Sequence, residues 1–289
     1  MTTNPTGFGA WFLGASFTGA PDSPWFTGTF ALYLLSFLVF AVYGATRRAL
    51  VARAATALLG LGGVLHTIAI IVRWEAAGRV PFANMYEYAN IMAWMAVLSY
   101  LVVAWRYGRP MVGVFVSPLV VVLIVSASLL PNEVHTQLVP ALQSYWLPIH
   151  VVLAALGEGA FLVATAVSIM YLVVSLRRAK NVAAAGGVSL DTLDEINYKA
   201  IGIGYPLYTI GALFAGAIWA YEAWGSFWSW DPKEVGALVI WLFYTLFLHA
   251  RYNRGWRGRR AAWMSVIGFV MILLSFFGNI FLGGQHAYG

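Results

Sequence analysis

Eight separate apolar runs, each long enough to cross a bilayer, constrain this chain more than any motif in it. They lie near residues 27–46, 52–72, 86–105, 111–130, 150–176, 200–221, 232–250 and 262–282. An α-helix needs about 20 residues to cross about 30 Å of hydrocarbon, and it satisfies its backbone polar groups within the segment. With 61% hydrophobic and 10% charged residues over 289 positions, the composition excludes a soluble domain with one core. A membrane β-barrel is excluded as well, because its strands would be alternating segments of about 10 residues. The expected class is all-α, a polytopic membrane helix bundle of about eight transmembrane helices in a lipid bilayer. Residues 1–26 lack a basic start followed by a compact apolar stretch, so they read as an N-terminal outside segment and not as a cleavable signal. Residues 27–289 read as a single membrane domain, in which the Ala/Gly-rich stretch 183–187 fits a short inside loop.

The formal charge of +6 is a topology signal. Fourteen of the 17 lysines and arginines fall in loops and helix ends after the first, third, fifth and seventh runs, leaving Arg73, Arg79 and Lys233 on the other side. The positive-inside rule then sets both termini outside, as an even number of crossings requires. Charge partitioned in this way gives no nucleic-acid-binding face. There is no cysteine, which excludes disulfides, thiolate metal sites and iron–sulfur clusters. Metal chemistry falls to histidine.

The outer loop 222–234, Glu222-Ala-Trp-Gly-Ser-Phe-Trp-Ser-Trp-Asp-Pro-Lys-Glu234, concentrates aromatic side chains between the sixth and seventh runs. Trp224, Phe227, Trp228 and Trp230 offer rigid π-faces for a large flat ligand such as a porphyrin, and Gly225 permits close backbone approach. Composition alone favours an interfacial aromatic belt instead. Asp231-Pro232 followed by Glu234 has the form of a capping box that starts the seventh helix, and Asn84 with Glu87 repeats that form at the third.

Five histidines carry the remaining chemistry. His150 opens the fifth run and His286 follows the eighth, so both belong at the outer surface beside the tryptophans. A lone terminal histidine is ordinarily solvated. Two at one depth beside an aromatic shelf suit the axial ligation of a haem iron by neutral imidazole. His249 lies about 26 Å below Pro232 by helix rise, near the inner face, where the plain reading is a polar group at a helix C-terminus. His135 reads as a solvated loop residue. Helix rise puts His66 about 10 Å below Arg73 and Glu158 about 12 Å below His150, and a carboxylate alone in lipid is costly, so these two are expected to pair between the second and fifth helices.

The string W-G-S-F-W-S-W-D-P-K-E with W-L-F-Y-T-L-F-L-H-A-R, together with P-F-A-N-M-Y-E, L-V-P-A-L-Q-S-Y-W-L-P-I-H and the final G-Q-H-A-Y-G, closely resembles the CcsA (ResC)-type cytochrome c biogenesis proteins, a haem-handling family with a Trp-rich (WWD) motif. The likeness runs from Arg73 to Tyr288, and D-P-K-E sets it apart from the CcmC and CcmF branches. It departs at Val235-Gly236, where the family often has Thr-Trp, and at Arg79-Val80 before Pro81. The resemblance implies that haem b is bound non-covalently and is also the substrate, with His150 and His286 as outer axial ligands and His249 at an inner site on the delivery route. It implies delivery of haem to the outer face of a bacterial plasma membrane, or of a thylakoid membrane if plastid-encoded. Covalent attachment to C-x-x-C-H apocytochrome c would follow, together with a CcsB (ResB)-type partner, as part of a haem lyase complex. A non-enzymatic haem transporter or chaperone and a di-haem membrane electron carrier are the alternatives that the same histidines allow.

Overall fold

The computed structural model describes residues 20–179 and 189–282, and among them the chain is helical with no strand. Eight helices are long and apolar enough to cross a membrane. They are α1 (Ser23–Thr46), α2 (Ala49–Ala77), α3 (Met85–Tyr107), α4 (Pro110–Ser128), α5 (Trp146–Ala179), α6 (Leu190–Trp224), α7 (Pro232–Asn253) and α8 (Arg259–Leu282). The all-α, eight-helix expectation is therefore met. α1 opens four residues before the expected start at 27, because Pro24 sits in its first turn with φ already suited to a helix. α6 begins ten residues before 200, since Ser189 caps it by accepting from the Thr192 amide, and its polar first turns bury Leu193 and Ile196.

α5 is the axis of the bundle. It packs against α3, α4, α6 and α8, and 72% of its most apolar window is buried. α1 and α2 form an antiparallel hairpin beside α3 and α4. The closest approach is between α5 and α6, where small residues let backbones meet: a Cβ added at Gly157 would lie 2.9 Å from the Gly204 carbonyl. Gly211 meets the backbone of Ala154 and Leu153 more tightly still. Asn197 of α6 bridges α5 and α8, its amide donating to the Ala164 carbonyl and to the hydroxyls of Ser168 and Ser265 at 2.6–3.1 Å.

One end of the bundle is pinned by a buried charge network. Arg73, at the end of α2, bonds Glu87 of α3 at 2.9 Å and Asp22 before α1 at 3.2 Å. It also donates to the carbonyls of Asn132 and Glu133 in the loop between α4 and α5. Arg79 adds a second cation on Glu87 at 3.0 Å. Two arginines thus neutralise two carboxylates, which is the condition under which charges persist away from water. The Asn84 cap is present, with its side chain accepting from the Glu87 amide at 2.9 Å. Glu87 reaches one residue further back than a capping box, to the Ala83 amide at 2.7 Å, since its carboxylate is held by the two arginines.

The expected His66–Glu158 pair does not form. α3 stands between α2 and α5, and each residue finds its partner on it. His66 is enclosed by Tyr33 Oη on Nδ1 and Asn90 Oδ1 on Nε2, both at 3.1 Å. Glu158 accepts from Tyr88 Oη at 2.6 Å.

Candidate functional site

The network end also carries the loop between α6 and α7. Asp231 caps α7 by accepting from the Lys233 amide at 3.1 Å, and Glu234 closes the box on the Asp231 amide at 3.2 Å. The same Glu234 oxygen takes the Ser229 amide at 2.8 Å, which folds the loop back on the helix start. Trp230 sits between these anchors in the left-handed region at φ 60°, rare for a bulky residue, and its side chain is thrown outward, 70% exposed.

A cavity of about 860 Å³, counting its open mouth, lies behind this loop among α3, α5, α6, α7 and α8. His150, Phe227 and Trp228 line it, together with Tyr88, Glu158, Trp219, Lys233 and Phe276. A second cavity of about 470 Å³ at the start of α3 shares Tyr88, His150, Trp219 and Lys233 with the first.

His150 is held on three sides. Its Nδ1–H donates to the Gly211 carbonyl at 2.9 Å. That carbonyl belongs to the π-helical stretch Thr209–Ala215, which interrupts α6 just after Pro206; such stretches cluster at functional sites. The ring stacks on Trp219, centroids 5.7 Å apart and planes 11° from parallel. On the third side stands Gly216, where an added Cβ would come within 3.0 Å of Nδ1 and 3.1 Å of Cε1. With Nδ1 spent on the carbonyl, the lone pair is on Nε2, the ring nitrogen available for a ligand.

The sequence-predicted aromatics divide. Phe227, stacked on Tyr221 at 4.4 Å, and Trp228 line the cavity with His150. Among the described residues the buried Trp228 indole N–H has no acceptor and the Glu234 Oε1 no donor. Trp224 packs edge-on against Trp219 at 4.9 Å, backing the His150 stack from behind. Trp230 meets Trp228 edge-on at 5.8 Å at the loop surface. His249 is exposed at the far end of α7, with Nδ1 bonded to Asn253 Nδ2 at 2.9 Å. His286 lies outside the described residues.

Sequence reasoning missed Trp219, Tyr88 and Lys233. Trp219 sits inside an apolar run, where a tryptophan ordinarily reads as core or lipid contact. Its indole N–H reaches the Ala141 carbonyl at 2.9 Å and fixes the loop before α5 over the ring stack. Lys233 had a signal, since a cation at the second position of a helix opposes the helix dipole. At Gly236, where the sequence departs from the family pattern, the helix lies close to α8: an added Cβ would displace the Ser275 hydroxyl.

Residues 82–286 match the model of the cytochrome c assembly protein family. The chain belongs to that family. It is 35% identical over 239 residues to the cytochrome c biogenesis protein CcsA of Chlamydomonas reinhardtii, covering 80% of this chain and 67% of that protein. The corresponding protein of Synechococcus sp. (strain CC9605) is 37% identical over 260 residues, covering 80% and 85%. CcsA of Guillardia theta is 36% identical over 251 residues, covering 79% and 83%. The CcsA-type resemblance drawn from the Trp-rich loop is thereby met. Among solved structures, the cytochrome c haem lyase CcmF superposes with a TM-score of 0.68 at 19% identity, over 89% of this chain and 46% of that one. This shared architecture is a likeness of fold, and the chain spans about half the length of that structure.

Proposed function

We propose that the protein takes part in cytochrome c biogenesis by holding haem b at the outer face of the membrane and presenting it, with a CcsB-type partner, for covalent attachment to C-x-x-C-H apocytochrome c. The observation that carries this reading is His150: its Nδ1 is spent on the Gly211 carbonyl and its ring is fixed by Trp219 and Gly216, leaving Nε2 for a metal. The cavity suits the rest of the ligand. It is concave, open on one side and lined mainly by apolar and aromatic side chains with a few polar groups, as small-molecule sites are. Phe227 and Trp228 supply aromatic walls, and the Trp228 N–H supplies a buried donor with no acceptor among the described residues.

His150 and His286 would be the axial pair, and the porphyrin supplies the reactive vinyl groups. The chain's own residues contribute position. The capped, folded-back loop 222–234 closes one side of the cavity, and its open mouth leaves an edge toward the substrate thiols. The arrangement holds a reactant in place and needs no general base.

A di-haem electron carrier fits less well. Bis-histidine ligation of two irons takes four histidines; with both ring nitrogens of His66 engaged by Tyr33 and Asn90, a second pair beside His150 and His286 would need His135, in the loop that Arg79 bonds, to share an iron with His249 at the far end of α7. Co-expression with a CcsB-type partner and a C-x-x-C-H reporter tests the proposal, scored as covalent haem on the reporter. The wild-type chain yields holocytochrome and His150→Ala lowers the yield at least tenfold. Unchanged maturation in His150→Ala would refute the site. Normal haem binding with transfer dependent on a separate ligase would favour the transporter reading.

A further inference from the structure

We propose that Lys233 and the Trp228 indole N–H form a carboxylate-binding site inside the cavity, where they hold one propionate of the haem. The proposal rests on the reading that this cavity takes haem.

Lys233 is not explained by the stability of its own helix. It occupies the second position of α7, where the dipole disfavours a cation, and its side chain runs into the cavity. Among the described residues the ammonium has no hydrogen-bond acceptor and sits over the Tyr88 ring, 5.2 Å from its centroid. A cation in an aromatic wall calls for an anion, because the π-face replaces little of the lost hydration. Among the described residues the nearest carboxylates, Glu158 and Asp231, act on the ammonium through space, but neither bonds it directly. Glu158 faces the same cavity but takes the Tyr88 hydroxyl, with no ion pair to Lys233 within 4.0 Å. Asp231 caps α7, and Glu234 Oε2 gathers the loop amides.

The second observation is independent of charge. Trp228 Nε1 is a donor only, is buried, and has no acceptor among the described residues. Two unspent donors therefore line one cavity, and a carboxylate, with two acceptor oxygens, satisfies both. The capacity is one anion. Glu158 and Glu234 Oε1 line the same space and disfavour any carboxylate not in direct contact with Lys233 and Trp228, so the other propionate is directed elsewhere. A planar ligand gripped at an acidic edge by Lys233 and at its centre by His150 has its rotation in the cavity fixed, and with it which edge is presented outward.

The test compares iron protoporphyrin IX with its dimethyl ester, titrated into the purified full-length chain and followed by Soret absorbance. The wild-type chain should bind the free acid about tenfold or more tightly than the ester, as expected of a charge-assisted contact. Lys233→Gln should abolish the preference while Lys233→Arg keeps it, and Trp228→Phe should reduce it about threefold. His150→Ala should shift the Soret band with both ligands and leave the preference in place. Equal affinity for acid and ester in the wild-type chain, or a preference that survives in folded Lys233→Gln, overturns the carboxylate site while the haem reading stands. If Lys233→Gln does not fold, a preference undiminished in Trp228→Phe overturns it instead. Absence of any His150-dependent Soret band refutes the haem reading and the carboxylate site with it.

Discussion

At the scale of single residues, the site turns on where one imidazole can point. His150 is trapped between Trp219 and Gly216, with its Nδ1 tied to the Gly211 carbonyl. Gly216→Val should push the ring off the carbonyl, since the added atoms crowd its Nδ1–Cε1 edge, the edge that carries the bond to Gly211, while Trp219 stacks on its face. We expect Gly216→Val to keep wild-type helicity by circular dichroism but to bind haem at least tenfold more weakly; wild-type affinity would show that the ring is not confined. His150 was legible in sequence because it sits at a helix start beside aromatics, so that depth alone placed it. His66 and Glu158 were misjudged for the complementary reason. Helix rise gives depth along the bundle, but in helices apolar all round no polar face reveals the azimuth, and each residue turned to α3 instead of to the other.

At the scale of elements, the loops and the α6 interruption do what the apolar runs cannot. The capping box at Asp231 was readable because capping follows from local residue types, whereas nothing in Thr209–Ala215 announces a π-helical stretch. Its placement depends on contact with α5, where Gly211 lies against the backbone of Ala154. Gly211→Ala must therefore part α5 and α6, costing about 1–3 kcal/mol in thermal unfolding and lengthening the His150–carbonyl bond. A variant as stable as wild type with unaltered haem spectra would contradict this. The charge network gives a sharper contrast. Arg73→Ala leaves Asp22 and Glu87 facing each other with Arg79 alone, and should cost about 3–5 kcal/mol, measured as loss of thermal stability in detergent. Removing Glu87 in the same chain, as Arg73→Met with Glu87→Gln, should restore part of that loss. If the single and double variants melt together, the network contributes no coupling.

At the scale of the whole molecule, the charge partition and the far end of α7 bear on what the protein works with. Reporter fusions after Arg260 and after Gly289 should report opposite compartments, the second outside, as the 14-to-3 division of Lys and Arg requires. That orientation puts His249 at the inner side, where it is exposed on a face of α7 that also shows Leu242 and Leu246. Asn253 holds its Nδ1, so Nε2 is free to bind a metal from outside the bundle. Among the described residues no second histidine is placed to share that metal. His66 is locked between Tyr33 and Asn90, about 16 Å higher by helix rise, whereas two imidazoles on one iron keep their backbones within roughly 13 Å. We propose that an inner haem site built on His249 is half a site, its other ligand supplied by a helix of a CcsB-type partner laid against this face. The chain purified alone should show no bis-histidine haem that His249→Ala removes, whereas the complex should show one. Two bis-histidine haems in the chain by itself, with maturation of a reporter cytochrome, would establish that the partner brings no ligand.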